Sequence, residues 1–245
     1  MKKSLVYRWR KLMRPRYITQ AGVRLDLGTL AFPQRKVMYR GVYEKTEGDV
    51  VTRNLARDDV VLEIGAGIGL VTILCCRKIG SDRVYAYEAN PLLEMVLRTN
   101  FSLNGVSPHL SIKLVSLTGG EGDFYVADRF MISSRYAPAV EKRGVTVQRQ
   151  RVASEALPDI LKRVRPTFLI VDAEGAEMDL ADDRVVLQGV RKICMEVHPH
   201  IVGDQQISRL IDSLTARGFA LILGESQGKV LYFSRLAVGG LDLVV

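Results

Sequence analysis

The chain has 245 residues, long enough for one large α/β domain with extensions and short for two full domains. Its composition, 47% hydrophobic and 25% charged, is that of an ordinary globular protein, and no apolar run is long enough to span a membrane. Its three cysteines, Cys75, Cys76 and Cys194, are too few and too poorly spaced for a disulfide framework or a cysteine metal site. We therefore expect buried, reduced thiols and a cytoplasmic location.

Charge is distributed unevenly along the chain. Residues 1–40 hold eleven Lys and Arg against a single acid, Asp26, which gives this segment a net charge of +10. The other 205 residues carry 24 basic and 26 acidic groups, a net charge of −2. The formal charge of +8 is thus a property of the N-terminal segment. The sequence predicts a basic extension over residues 1–42 and one domain over residues 43–245.

The first predicted element is a short amphipathic helix over residues 4–14, which Pro15 ends. Its apolar residues follow the spacing of one helix face and are Leu5, Trp9, Leu12 and Met13. We expect this stripe to pack on the domain while the basic residues face solvent. The functional alternatives are an anionic membrane surface or an acidic partner bound through residues 1–16, or a targeting peptide. Residues 16–42 are expected to be irregular, and a helix is predicted over residues 43–55.

The most informative stretch covers residues 60–70 and reads VVLEIGAGIGL. It predicts a buried strand, a tight turn and the start of a helix that runs to about residue 79. Glycine is required at such a turn because the backbone bends sharply and a ligand approaches where a Cβ would stand. A dinucleotide fingerprint that starts at Gly65 would need glycine at position 70, which is Leu70.

The spacing E-x-G-x-G-x-G instead resembles motif I of the class I S-adenosylmethionine-dependent methyltransferases. The resemblance implies that backbone and acid contact the methionine end of the cofactor, and the candidate residues are Glu63, Gly65, Ala66, Gly67 and Gly69. The next strand, predicted at residues 83–88, ends on Glu88, 23 residues after Gly65. A carboxylate at this place accepts ribose hydroxyls, so we predict that role for Glu88, with Ala89 and Asn90 beside it. The structural alternative is a surface acid that caps the following helix.

Beyond Glu88 the alternation of strands and helices continues, with one interruption. A helix over residues 91–104 and a strand over residues 111–115 precede Ser116, which would lie near the adenine. Residues 118–153 break the pattern, and they predict an inserted β-hairpin with a mobile loop around residues 133–136 that shapes a substrate pocket. The remaining predicted elements are a helix at 154–163, strands at 168–172 and 192–198, a helix at 204–217, and two antiparallel strands at 219–223 and 229–234.

With these strands in place, the chain resembles the FkbM-type methyltransferases over about residues 43–235. The blocks that carry the resemblance are EIGAGIG at 63–69, YEANP at 87–91, VDAEGAE at 171–177 and MEVHP at 195–199. The resemblance implies an α/β, Rossmann-like sheet of seven mostly parallel strands in the order 3-2-1-4-5-7-6, with the last strand antiparallel and helices on both faces. It also implies S-adenosyl-L-methionine as the cofactor and O-methylation of a hydroxyl on a sugar, polyketide or similar small molecule. Two positions depart from the family's usual pattern, since Ile170 stands in place of a lysine and Gly67 in place of an asparagine.

Methyl transfer to a hydroxyl needs a group that removes the acceptor's proton. Asp172 and Glu174 follow strand four, and Glu196 and His198 end strand five, so all four meet at the carboxyl edge of the sheet. We predict His198 as the general base because its ordinary pKa lies near working pH, with Asp172 as the runner-up or orienting group. Glu174 is the third catalytic candidate, and Asp172 is also expected to contact the cofactor. The structural alternatives are a histidine bonded to a strand end and acids that cap the next helix.

Three other functions are weighed against this one. A metal site of Glu196, His198 and His200 is not expected because Pro199 interrupts the strand. A nucleic-acid methyltransferase would use the basic extension, but Asp172 begins no Asn/Asp-Pro-Pro-aromatic run and no cysteine follows a proline. A non-catalytic module docked by its basic arm would not need acids at both cofactor strands. We therefore expect a small-molecule hydroxyl acceptor, selected by the insert and the N-terminal arm.

Overall fold

The computed structural model describes residues 2–127, 130–136 and 146–235. The helices are α1 (Lys2–Met13), α2 (Phe32–Tyr39), α3 (Lys45–Asn54), α4 (Leu70–Ile79), α5 (Glu94–Leu103), α6 (Leu157–Val164), α7 (Pro199–Val202) and α8 (Asp204–Ala216). The strands are β1 (Tyr17–Gln20), β2 (Val23–Asp26), β3 (Val61–Ile64), β4 (Val84–Glu88), β5 (His109–Ile112), β6 (Leu114–Ser116), β7 (Gly120–Ala127), β8 (Val147–Ala156), β9 (Phe168–Val171), β10 (Lys192–Glu196), β11 (Phe219–Leu221) and β12 (Val230–Arg235). None of the described helices combines the length and the apolar character that crossing a membrane requires.

Seven strands form the central sheet, in the order β5-β4-β3-β9-β10-β12-β11. The first five run parallel to one another, while β12 is antiparallel to both of its neighbours. Counted along the chain, the sheet strands therefore lie in the order 3-2-1-4-5-7-6. The predicted seven-stranded, mostly parallel α/β fold is confirmed. The connection between β11 and β12 is too short for a crossover helix, which is why this last pair is antiparallel.

The strands at the centre of the sheet are apolar on both faces because helices cover both faces. Side chains alternate along each strand. Leu62, Leu169 and Ile193 lie in the core cluster that includes residues of α6 and α8. Val61 and Phe168, one residue earlier on two of these strands, lie in the opposite cluster with residues of α3 and α4. This double covering explains why β3, β9 and β10 read as almost unbroken apolar runs.

The expectation that residues 16–42 are irregular is wrong. Strands β1 and β2 form an antiparallel hairpin, and α2 follows it. The hairpin turns through Ala21 and Gly22, which both have positive φ, 48° and 77°, as a two-residue turn between twisted strands requires. Alanine is uncommon at the first of these positions, so no clear turn signal was present in the sequence. Leu25 and Met38 are fully buried and join the core cluster of α4 and α5.

The expected packing of the first helix is also wrong. α1 forms as predicted and ends before Pro15, but its apolar stripe faces away from the domain. Leu5, Trp9 and Leu12 are all exposed, whereas Tyr7 on the opposite side is partly buried against the core. Whether residues 1–42 and 43–245 are separate units stays a prediction.

The region that interrupts the alternation forms a second, three-stranded sheet in the order β6-β8-β7. Strands β7 and β8 pair antiparallel, as the hairpin prediction requires. The single strand predicted at 111–115 is wrong: β5 belongs to the central sheet, and the chain crosses at Lys113 to β6, which pairs with β8. Residues 128–129 and 137–145 of the predicted insert lie outside the described residues.

Candidate active site

A cavity of about 330 Å³ opens at the carboxyl ends of β3, β4, β9 and β10. The carboxyl ends of parallel strands meet at one edge of a sheet, which is where open α/β sheets bind their ligands. Of the residues predicted from the sequence, the cavity is lined by Gly65, Gly67, Glu88, Ala89, Asp172, Glu174 and His198. Glu63, Ala66, Gly69, Asn90 and Ser116 do not line it. The structure thus brings the two candidate catalytic strand ends to the glycine turn.

The glycine turn packs directly against the end of β9. Gly65 has a φ of 95°, and a Cβ there would lie 1.8 Å from the carbonyl oxygen of Asp172. Gly67 has a φ of 56°, and a Cβ there would lie 2.3 Å from the Tyr43 hydroxyl oxygen. Both positions therefore need glycine for the backbone angle and for space. Gly69 serves packing instead, since a Cβ there would lie 2.7 Å from the ring of Phe101 on α5.

Glu63 lies beneath the turn and does not reach the cavity. Its side chain is buried and accepts a hydrogen bond of 2.5 Å from the Thr72 hydroxyl on α4. Burial raises the pKa of Glu63 to about 7, although the bond from Thr72 opposes the shift. The direct contact of Glu63 with the cofactor stays a prediction, since Glu63 does not line the cavity. Glu63 instead holds the first turn of α4 against β3.

Glu88 lines the cavity and is held by backbone amides. The amides of Gly67 and Asn90 each donate to one of its carboxylate oxygens, both at 2.8 Å. Burial raises the pKa of Glu88 to about 7, against the opposing effect of these hydrogen bonds. Each oxygen keeps a further lone pair for a ligand hydroxyl. The structural alternative does not apply, because Asn90 is the residue that accepts a hydrogen bond from Leu92 and caps the next turn.

The remaining predicted cofactor contacts serve the surrounding structure. The amides of Gly65 and Ala66 donate to the carbonyl oxygen of Tyr87, at 2.9 and 3.0 Å. The hydroxyl oxygen of Ser116 lies 2.7 Å from that of Ser154 and binds the second sheet together. The preceding residues, Leu114 and Val115, line the cavity instead. The prediction assumed a single strand here, and the crossing at Lys113 shifts which residues reach the ligand space.

His198 is buried and anchored from behind by Glu177. A carboxylate oxygen of Glu177 accepts a hydrogen bond from the His198 amide at 2.9 Å and lies 3.2 Å from Nδ1 of its ring. The other carboxylate oxygen accepts from the Gly175 amide at 2.8 Å. With Nδ1 held in this way, Nε2 points toward the cavity, 3.6 Å from Asp172 Oδ1 and 3.8 Å from Glu174 Oε1.

The protonation of this group differs from the sequence expectation. Burial opposes a charge on His198, but the bond to Glu177 and the charges of Asp172 and Glu174 outweigh it and raise its pKa to about 9. Burial raises the pKa of Asp172 to about 8, with His198 opposing and Glu196 and Glu174 adding to the shift. The prediction that His198 titrates near neutral pH is therefore wrong. Asp172 and His198 lie 3.6 Å apart, and the pKa of each is raised above its ordinary value.

The same edge of the sheet offers ligands for a cation. Among the described residues, Asp172, Glu196 and His198 present oxygen and nitrogen atoms that lie within 4.8 Å of one another. His200, the third ligand considered from the sequence, is not in this set. An imidazole oriented by a carboxylate behind it, as His198 is by Glu177, is a common feature of histidine ligands and of histidine bases alike.

Three further residues shape the cavity, and two of them, Tyr43 and Glu44, carried no signal in the sequence. Tyr43 and Glu44 come from the segment before α3, and Glu44 has a φ of 44°, an uncommon backbone angle for a residue other than glycine. Arg135, from the segment expected to be a mobile loop, forms a two-bond ion pair with Asp179 at 2.6 Å. That segment is anchored, because the Ser134 hydroxyl donates to the carbonyl oxygen of Glu174 at 2.8 Å.

The residues of the cavity suit a cationic nucleoside such as S-adenosylmethionine. The two glycines leave the space at the turn that a Cβ would fill, and Glu88 keeps acceptors for hydroxyls. One oxygen of Glu44 is buried and has no hydrogen-bond partner within the described part of the chain. Burial and the charges of neighbouring acids raise the pKa of Glu44 well above its ordinary value. A positively charged group bound here would stabilise these acids in their ionised form.

Comparison with known proteins agrees with this assignment. Residues 63–221, more than half of the chain, match the family described as Methyltransferase FkbM domain. Curated protein sequences give no match. Among solved structures, the ribosomal protein L11 methylase of Lactobacillus delbrueckii subsp. bulgaricus is 15% identical with a TM-score of 0.48, covering 87% of this chain and 84% of that one.

Two further solved structures contain the cofactor. Trm1 of Pyrococcus horikoshii, in complex with S-adenosyl-L-methionine, is 10% identical with a TM-score of 0.49 and covers 89% of this chain and 60% of that one. TYW2 of M. jannaschii, in complex with AdoMet, is 17% identical with a TM-score of 0.42 and covers 90% and 86%. At this distance they carry no information on the acceptor. The match over residues 63–221 identifies the chain as a member of the FkbM methyltransferase family, with S-adenosylmethionine as its cofactor.

Proposed function

We propose that this protein transfers a methyl group to a hydroxyl of a small molecule, such as a sugar or a polyketide-type compound. The observation that carries the proposal is the pair at the strand ends, with His198 Nε2 3.6 Å from Asp172 Oδ1 in the cavity that the glycine turn also lines. A hydroxyl acceptor must lose a proton as it is methylated, whereas a neutral amine attacks through its lone pair first. An imidazole that accepts a proton once it is in its neutral form therefore favours oxygen over nitrogen.

Each residue has a defined part in this proposal. S-adenosylmethionine supplies, when bound, a methyl group on a sulfonium centre, which is the electrophile. Glu88 and the glycine turn hold the nucleoside and methionine parts, and Asp172 contacts the cofactor beside its role in the pair. His198 accepts the acceptor's proton once it is in its neutral form, and Asp172 stabilises the imidazolium that results. Glu177 keeps the ring in one orientation. Glu174, with its carboxylate 3.8 Å from Nε2, adds a second stabilising charge.

The character of the cavity supports a small, uncharged or cationic acceptor. Acidic side chains dominate the polar part of its lining, and Glu44 and Glu88 lie beside the glycine turn. A nucleic-acid backbone would be repelled from such a cavity, so the basic extension does not by itself argue for a nucleic-acid substrate. The buried, unpaired state of Cys75, Cys76 and Cys194 supports a cytoplasmic setting as part of the same proposal.

The test compares hydroxyl compounds with their amine analogues. The purified chain is incubated with S-adenosylmethionine and a panel of matched glycosides, phenols and polyols and the corresponding amines, and formation of S-adenosylhomocysteine is measured. We expect turnover with members of the hydroxyl set and a mass gain of one methylene on oxygen. The Asp172→Asn variant should lose this activity while it keeps its fold.

Three results would contradict the proposal. Turnover confined to amines would leave the methyltransferase assignment in place and remove the hydroxyl acceptor. Failure to bind S-adenosylmethionine in calorimetry, in a chain shown to be folded, would support a non-catalytic module. Methylation of an RNA mixture in place of the small molecules would support the nucleic-acid alternative.

A further inference from the structure

The outward face of α1 is apolar along its length. The exposed fraction is 63% for Leu5, 47% for Val6, 57% for Trp9, 79% for Leu12 and 60% for Met13. With 3.6 residues per turn these side chains form one stripe, here called the apolar face of α1. Single exposed apolar residues are common on protein surfaces, but a continuous stripe rimmed by charges marks a binding surface.

Contacts on the opposite side of the helix hold the apolar face outward. Tyr7 is partly buried against the core that α2 and the β1–β2 hairpin build. The guanidinium of Arg10 donates to the carbonyl oxygen of Tyr39 at 3.4 Å. The guanidinium of Arg14 lies over the ring of Phe32, 4.3 Å from its centre. Contacts with both ends of α2 therefore hold α1 in the orientation in which its apolar face points to solvent.

The charge around the apolar face is positive. Arg8 and Lys11 are exposed on α1 itself, and the only acid in residues 1–40, Asp26, is buried and paired with Arg16 at 2.8 Å. Among the described side chains, Arg16 is the one basic residue between positions 8 and 40 that forms an ion pair with an acid. The positive charge of this segment is thus balanced within it by a single acid, Asp26.

We propose that α1 docks this protein on the surface of an anionic lipid bilayer. The helix lies in the plane of the interface, with its apolar face at the boundary of the acyl chains and its basic residues among the headgroups. Trp9 is near the middle of the face, and tryptophan is enriched at membrane–water interfaces. A helix of this length does not span the bilayer, so the attachment is peripheral.

Other occupants fit the observations less well. A second copy of the chain would place two segments of +10 against each other. An RNA would engage the basic residues but would leave Leu12, the most exposed member of the face, in water. A bilayer with anionic headgroups covers the apolar face and neutralises the charge at the same time.

The chain contains its own probe, because Trp9 is its only tryptophan. The full chain is mixed with phosphatidylcholine vesicles that contain about 30% phosphatidylserine, and with vesicles of phosphatidylcholine alone. With the anionic vesicles we expect the Trp9 emission to move to shorter wavelength and to become protected from a water-soluble quencher. With the neutral vesicles the affinity should be lower by at least about tenfold.

Two pairs of matched variants test whether the apolar face and the basic residues of α1 carry vesicle binding. Leu5→Gln/Leu12→Gln should weaken vesicle binding at least about tenfold, whereas Leu92→Gln/Leu223→Gln, at positions that are 63% and 75% exposed, should leave it unchanged. Arg8→Gln/Lys11→Gln should weaken binding by about fivefold per charge, and Lys162→Gln/Arg209→Gln, exposed elsewhere, should not. All four are surface changes, and circular dichroism confirms that each variant is folded.

Several outcomes would overturn the proposal. One is an unchanged Trp9 emission with anionic vesicles. Another is equal vesicle binding by the folded Leu5→Gln/Leu12→Gln variant and the parent chain. A shift in Trp9 emission that depends on protein concentration without vesicles would show self-association, and one caused only by added RNA would show a nucleic-acid surface. None of these results bears on methyl transfer, which is assayed separately.

Discussion

The two ends of the central sheet both carry buried acids, yet they differ in charge balance. At the amino end, Asp59 is fully buried and accepts bonds from Lys192 at 2.7 Å and Arg191 at 2.9 Å. Burial alone would raise the pKa of Asp59, but these partners lower it below its ordinary value. At the carboxyl end, the pKa of Glu88 is raised to about 7 and that of Asp172 to about 8. Burial outweighs the nearby charges at Glu88 and Asp172, whereas the two basic partners of Asp59 outweigh burial at the amino end.

The difference in basic partners distinguishes acids that stabilise the fold from acids that are placed to bind a ligand. The amino end satisfies its charge within the chain. The carboxyl end gathers several acids around one histidine, so acids outnumber basic partners there and the site gains from a cationic ligand. The contrast is sharpest between Asp59 and Asp172, because the two residues precede and follow neighbouring strands, β3 and β9.

The largest effect is expected from removal of the histidine at the carboxyl end. His198→Ala should lower kcat about 10³-fold, because it deletes the proton acceptor, while the affinity for S-adenosylmethionine changes little. Turnover and calorimetric binding are measured on the same preparation. His200→Ala is the matched control, since His200 is exposed and does not line the cavity. Full activity of His198→Ala would show that the histidine is structural.

The second largest effect is expected from loss of the buried acid at the amino end of the sheet. Asp59→Asn should lower the free energy of unfolding by about 3 kcal/mol, because it leaves the largely buried Lys192 without its counter-charge. Asp58→Asn, on the exposed neighbour that also pairs with Arg191, should change the free energy of unfolding much less, because solvent screens an exposed ion pair.

Asp172→Asn, at the carboxyl end of the sheet, should change the free energy of unfolding in the opposite direction to Asp59→Asn. Asp172 costs the parent chain stability as pH rises from about 4 to about 8, and the amide never has to ionise. The variant should therefore be more stable than the parent chain near neutral pH, with the largest difference above pH 8. Urea unfolding at two pH values measures all three variants. A large loss of stability for Asp172→Asn would show that both ends hold the fold in the same way.

A smaller effect is expected at Glu88. Glu88→Gln should weaken binding of S-adenosylmethionine by roughly tenfold or more, because the amide nitrogen faces backbone donors and no longer accepts the ligand's hydroxyls. Glu94→Gln, on the exposed surface of α5, is the control. Unchanged affinity in Glu88→Gln, with the fold intact, would remove Glu88 from the ribose site.

Much of this arrangement followed from local sequence, and the rest depended on tertiary contacts. Glu88 and His198 stand at strand ends, and strand ends can be read from apolar runs, so their meeting at one edge was predictable. The burial of Glu63 under α4 was not predictable, because strand periodicity alone does not say which face of a strand lies toward the ligand. Tyr43 and Glu44 reach the cavity from a segment with no strand or motif. The pKa of His198 depends on Glu177, which lies 21 residues away in sequence.

The raised pKa values at the carboxyl end determine how the stability of the ligand-free chain changes with pH. Glu63 and Glu88 keep their protons to about pH 7 and Asp172 to about pH 8, whereas the unfolded chain loses these protons near pH 4. The folded state therefore binds more protons in this window, and the stability of the ligand-free chain falls as pH rises from about 5 to about 8. His198, with its pKa raised to about 9, extends the loss in the same direction.

The most direct test is calorimetry of S-adenosylmethionine binding in buffers of different ionisation enthalpy, near pH 7 and with a chelator present. If the acids at the carboxyl end await a cation, binding must release protons, and the affinity must rise with pH up to about 8. S-adenosylhomocysteine, which lacks the sulfonium charge, should release fewer protons. Binding of both ligands without proton release, or no binding at millimolar concentration, would contradict this account of the site.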